Sequence, residues 1–134
     1  MTVKLETKDI RTIAAFEKIT KVHPKDCLIT EEQIYFLVDP DKIGFAIGRG
    51  GIVIKEVRRV LGKPVKLFGY HDNAEEFIKG IAPSIKTIEK SNDTISVSLP
   101  VKDKVVLIGR NGNNIKAVKT MLERHFEIKN FRVR

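Results

Sequence analysis

The sequence predicts an α+β protein made of two copies of one small module. Three observations predict it: a self-match at a fixed offset, the same order of helical and strand patterns around each match, and a Gly-rich turn between two helical segments in each copy. Ile47-Gly48-Arg49-Gly50-Gly51-Ile52-Val53-Ile54-Lys55 aligns without a gap on Ile108-Gly109-Arg110-Asn111-Gly112-Asn113-Asn114-Ile115-Lys116, 61 residues later. Seven positions are identical: the Ile-Gly-Arg triplet, the last glycine of the loop, the Ile-Lys pair, and Val57 with Val118. Leu61 and Leu122 match as well. Copies at this spacing imply modules of about 60–70 residues. The expected boundary lies near Tyr70–Asn73, giving domains 1–71 and 72–134.

Each element can be justified in order. Thr7 to Ile19 has helical spacing, with Ile10, Ile13, Ala14 and Phe16 on one face and Thr7 as its N-cap. Cys27–Ile29 and Ile34–Val38 read as short strands joined near Thr30-Glu31-Glu32. Asp39-Pro40 ends the second strand, and Ile43, Ala46 and Ile47 mark a helix before the loop. After the loop, Ile54, Val57 and Leu61 recur at i, i+3, i+7, and Gly62 stops that helix. Val65–Phe68 is the last strand of the copy.

The second copy repeats the order. Asn73 caps a helix with Ala74, Phe77, Ile78 and Ile81 on one face, ended by Pro83. Ile85–Glu89 and Thr94–Leu99 flank an Asn92-Asp93 turn. Lys102–Ile108 is the helix before the loop; Ile115, Val118 and Leu122 carry the one after it, and Phe131–Arg134 is the closing strand. The joint between modules has no Ser/Gly-rich stretch, so a packed pair is expected.

Composition narrows the function. Among 134 residues, 25 Lys and Arg face 17 Asp and Glu, a net charge of +8. That bias favours an anionic partner, of which nucleic acid is the commonest. No apolar run approaches the roughly 18–20 residues that span a bilayer, and the first residues lack a signal-peptide pattern, so no membrane partner and a cytoplasmic location are expected. Cys27 is the single cysteine, which rules out an intrachain disulfide and a Cys-rich zinc site; buried in a strand, it is a small hydrophobe rather than a nucleophile. His23, His71 and His125 form no ligand pair, and neither Glu31-Glu32 nor Glu75-Glu76 repeats as a carboxylate constellation. No metal, no cofactor and no catalytic site are expected.

The Gly-rich loop admits three phosphate-binding readings. A Walker A loop needs a Lys followed by Ser or Thr, and neither copy has one. A dinucleotide fingerprint needs a glycine where Val53 stands and a strand directly before it. The third is Gly-x-x-Gly between two helices followed by x-x-Ile-Lys, the spacing of the KH RNA-binding module. Glycines at both ends allow a tight turn and clear the approach of a sugar-phosphate backbone. The following helix N-terminus favours an anion beside that turn. Arg49 and Arg110 take the same middle position, and Lys55 and Lys116 sit one turn further on. Six basic residues against one acid occupy 47–66, and nine against three occupy 102–134. With no Trp and two Tyr, stacking platforms are poorly supplied. An aliphatic groove suits the composition better, with Ile47, Ile54, Val57, Ile108, Ile115 and Val118 as candidate walls, although that spacing more commonly faces a core.

These motifs resemble type II KH domains in tandem, each helix-strand-strand-helix-helix-strand with a three-stranded sheet packed on helices. Asp39-Pro40 before Ile43-Gly44-Phe45-Ala46-Ile47-Gly48-Arg49-Gly50-Gly51, with Val105-Val106-Leu107-Ile108-Gly109-Arg110-Asn111-Gly112 later, resembles the KH pair of the archaeal NusA-like transcription termination and antitermination factors. The resemblance covers the whole chain. It implies a non-enzymatic protein that binds single-stranded RNA in transcription, with RNA polymerase or other transcription factors as possible partners. The expected RNA-binding residues are Ile47, Gly48, Arg49, Gly50, Gly51, Ile54, Lys55 and Arg58 in the first copy. In the second they are Ile108, Gly109, Arg110, Asn111, Gly112, Ile115, Lys116 and Lys119. Two departures stand out: Lys104 replaces Ile43, and the second loop has a polar edge in which Asn113 is a candidate helix cap. A protein-interaction adaptor and a ribosome-assembly protein are the alternatives; a nucleotide-dependent enzyme lacks its motifs.

Overall fold

The computed structural model describes residues 7–134. The described residues up to His71 form one compact unit and Asp72–Arg134 form a second.

In the first unit, helix α1 (Thr7–Thr20) precedes strands β1 (Asp26–Ile29) and β2 (Ile34–Val38). A 3-10 turn at Pro40–Lys42 leads into the short helix α2 (Ile43–Ile47), then α3 (Ile52–Leu61) and β3 (Val65–Gly69). Strand β2 is central, antiparallel to β1 and parallel to β3. All five of its residues are buried, as a strand flanked on both sides and covered on its faces must be. The core gathers Phe16, Phe36, Val38, Ala46, Ile54 and Val57 around this strand, with the Phe16 and Phe36 rings stacked 4.0 Å apart.

The buried face of α1 differs from the expected one. Ile10 is 56% exposed and Ala14 is exposed, while the inward face runs through Ile13, Phe16, Ile19 and Thr20. Thr20 can join that face because its hydroxyl donates to the Phe16 carbonyl at 2.8 Å and accepts from the Val22 amide at 3.0 Å. A threonine that satisfies its own helix end can be buried, and no apolar periodicity reveals it. Thr7 is itself helical, so the cap of α1 lies outside the described residues.

The second unit has helix α4 (Ala74–Ile81), strands β4 (Thr87–Ser91) and β5 (Thr94–Ser98), helices α5 (Val101–Ile108) and α6 (Asn113–Phe126), and strand β6 (Asn130–Val133). Its sheet has the same order and senses, with β5 central. Asn73 caps α4 as expected, accepting from the Glu76 amide at 2.9 Å. Strand β4 begins two residues later than the expected Ile85 and runs to Ser91, because Ser91 pairs with Thr94 across the two-residue Asn92-Asp93 turn. Asn92 takes φ +52°, a conformation Asn tolerates. Helix α6 outruns α3: Gly62 stops α3 in the left-handed conformation, whereas α6 continues to Phe126, whose ring lies 5.5 Å from that of Phe77.

Candidate nucleic-acid interface

The two glycine loops have the same backbone. Gly48 and Gly109 both sit near φ 75° with ψ 169° and 174°. Gly50 (φ 64°, ψ 17°) matches Asn111 (φ 56°, ψ 24°), and Gly51 (φ 77°, ψ 16°) matches Gly112 (φ 72°, ψ 15°). The chain thus leaves one helix, makes a turn through left-handed positions, and enters the next helix with its positive dipole end beside the turn.

The first glycine is required twice over. Its φ and ψ lie in a region essentially reserved for glycine. A Cβ on Gly48 would also stand 2.4 Å from Val53 Cγ2, and one on Gly109 would stand 2.8 Å from Asn114 Cβ. The loop therefore packs directly on the first turn of the following helix. The middle positions are open: a Cβ on Gly50 would meet nothing within 4 Å, and Arg49, Arg110 and Asn111 are exposed. A Cβ on Gly51 would lie 4.0 Å from Lys55 Cε, so that lysine runs back along the loop. Lys116 and Lys119 are exposed on α6.

Not every basic residue is unengaged. Arg58 donates from Nη2 to the Val65 carbonyl at 3.3 Å, which ties α3 to β3. Arg59 grips Glu56 with Nε at 3.1 Å from Oε2. That hydrogen bond holds the Glu56 carboxyl below its usual range and raises the guanidinium, so the pair stays ionised at neutral pH. Lys66 on β3 has its pKa lowered by burial.

The aliphatic candidates divide. Ile47 and Ile108, just before the loops, are each 38% exposed. Ile54, Val57 and Val118 are buried in the core and present little surface of their own. Their i, i+3, i+7 stripe is what fastens the helix to the sheet. Ile115 is half-buried, while Asn114 beside it is buried, with Nδ2 donating to the Val106 carbonyl at 3.3 Å. Asn113 does not cap α6; Gly112 occupies the cap position and makes no side-chain cap bond.

Exposed apolar residues that the sequence reading passed over lie on the same hairpins: Phe45 (65% exposed) and Ile52 in the first unit, Val101, Val105 and Val106 in the second. The signal existed for Phe45. At 100° per residue it falls opposite the Ile43–Ala46–Ile47 face. Among the described residues no helix is long and apolar enough to cross a membrane, and no three His, Cys, Asp or Glu gather as a metal site.

A sheet of this topology backed by helices, with a Gly-x-x-Gly hairpin between two of them, defines a KH domain in the first unit. The KH domain family model matches residues 10–72. Over nearly the full length, the chain is 30% identical to the probable transcription termination protein NusA of Methanocaldococcus jannaschii, covering 98% of this chain and 75% of that protein. It is 33% identical to the protein of the same name from Halococcus morrhuae, covering 96% of each. The crystal structure of APE1850 superposes with a TM-score of 0.79 at 29% identity, covering 97% of this chain and 100% of that one. The chain belongs to the archaeal family of probable transcription termination proteins NusA.

Proposed function

We propose that the protein binds single-stranded RNA with both glycine loops and acts on transcripts in elongation, termination or antitermination. On this reading the second unit is a second KH domain, and the protein works in the cytoplasm beside RNA polymerase or other transcription factors as a binding protein, not an enzyme. The observation that carries it is the loop backbone built twice from only partly identical residues. Both copies hold the same left-handed positions, the same outward arginine and the same following lysine. Each of those features serves an anion: open backbone, a helix N-terminus and exposed cations.

The test replaces the outward residues. Arg49→Asp with Gly50→Asp, and separately Arg110→Asp with Asn111→Asp, set carboxylates where a phosphate would lie. Two unit charges 4 Å apart interact by about 4 kcal/mol at an effective dielectric of 20. Exposure and salt reduce this, so each altered loop should lose roughly 1–3 kcal/mol, about five- to a hundredfold in affinity. Fluorescence anisotropy with a labelled single-stranded RNA measures it, with circular dichroism melting as the folding control. Undiminished affinity in both folded variants would leave the adaptor reading in its place.

A further inference from the structure

The two hairpins differ just before the loop, and the difference is chemical. In the first unit Lys42 holds its Nζ 5.5 Å from the centroid of the Phe45 ring, on a helix turn where that ring is 65% exposed. Gly44 lies beside it, and a Cβ there would meet nothing within 4 Å, so the backbone next to the ring is open. At the 61-residue offset the second unit has Asp103 for Lys42, Val105 for Gly44 and Val106 for Phe45. A cation, a gap and an aromatic face become an acid, a covered backbone and an aliphatic residue. The Phe45 side also has two acids nearby, Asp39 and Asp41, but an Asp39 carboxylate oxygen accepts from the Asp41 amide as the cap of the 3-10 turn.

From this asymmetry we infer that Phe45 is a stacking face for a nucleobase, used by the first loop alone. Every base has a π-face, and an exposed aromatic within one helical turn of a phosphate-binding loop can receive the base whose phosphate the loop holds. Lys42 adds a positive charge where the strand's backbone would pass, which favours RNA over an apolar protein segment as the occupant. Ile52, 68% exposed on the first residue of α3, extends the apolar surface on the far side of the loop, where the second unit has Asn113. The inference rests on the RNA-binding reading and refines it: the two modules contribute unequally, and only the first gains from base stacking.

The test uses the full chain and a short single-stranded RNA in which one abasic nucleotide is walked along the sequence. In the unaltered protein one abasic position should weaken binding most. Phe45→Ala should weaken binding to the intact RNA by roughly five- to a hundredfold and erase the penalty at that position, while Phe45→Tyr keeps both. Val106→Ala should change neither. Unchanged affinity of the Phe45→Ala variant overturns the inference and points to a protein-docking role for the ring. So does an equal loss on intact and abasic RNA at every position. Failure of the RNA-binding reading looks different, since the loop variants at Arg49 and Arg110 would then bind RNA as the unaltered protein does.

Discussion

At the residue scale, the loop positions separate into those the fold requires and those open to solvent. Gly48 and Gly109 are held by backbone conformation and by the atoms of Val53 and Asn114. Gly48→Ala should therefore cost about 3 kcal/mol or more, combining a Gly-only conformation with an overlap that forces α3 to shift. Gly50→Ala meets open space and carries only the left-handed penalty, about 1 kcal/mol. Gly50→Asn should cost less still, since Asn111 already sits in that conformation in the second loop. Thermal melts of the three variants check the ranking, and a Gly48→Ala protein as stable as Gly50→Asn would contradict it. The glycines, arginines and lysines of the loops were legible in the sequence because their spacing is repeated. Which isoleucines face solvent was not. Periodicity identifies a stripe, but Ile47 and Ile54 both sit on plausible stripes, and only packing against the sheet makes one half-open and the other buried.

At the element scale, the order of helices and strands followed from periodicity and turn chemistry, while the boundaries and faces that moved have local causes. Strand β4 is solvent-exposed along almost its whole length, so its ends are set by the Asn92-Asp93 turn rather than by an apolar pattern. The face of α1 runs through Phe16 and Thr20, and the threonine tolerates burial because its hydroxyl bonds within its own helix. Helix α4 was the most legible: Asn73, two acids in the first turn and Pro83 beyond its end agree with one another. Asn73→Ala should cost about 1 kcal/mol, the usual worth of a side-chain cap. In a domain of this size that is a fall of about 4–8 °C in melting temperature. RNA affinity should be unchanged, because Asn73 belongs to neither glycine loop. A variant that melts as the parent does would show that α4 is held by its buried face, Ala74, Phe77 and Ile78, without help from the cap. On α3, Glu56→Gln removes the negative charge that holds Arg59. Tighter RNA binding in that variant, read by anisotropy, is expected if the exposed face of α3 lies along the RNA backbone. Unchanged binding would place Arg59 off the RNA path.

At the scale of the whole molecule, the net charge of +8 is not spread evenly. The segments from each loop to the end of its unit carry more positive charge than the chain as a whole, and the remainder is net acidic. That distribution, together with the repeat, makes the architecture and a candidate nucleic-acid surface legible in the sequence. The unequal chemistry of the two hairpins was also present in the sequence, at Lys42 and Phe45 against Asp103 and Val106. It gained meaning only when the structure put the Phe45 ring in solvent under the Lys42 ammonium. The central claim is that both loops hold RNA phosphates, and the salt dependence of binding tests it most directly. For single strands each phosphate contact contributes about −0.7 to the slope of log affinity against log salt. The slope should become shallower when Arg49 and Gly50 are changed to Asp, shallower again when Arg110 and Asn111 are changed too, with all proteins still folded. A slope that stays the same through both pairs of substitutions would contradict the claim.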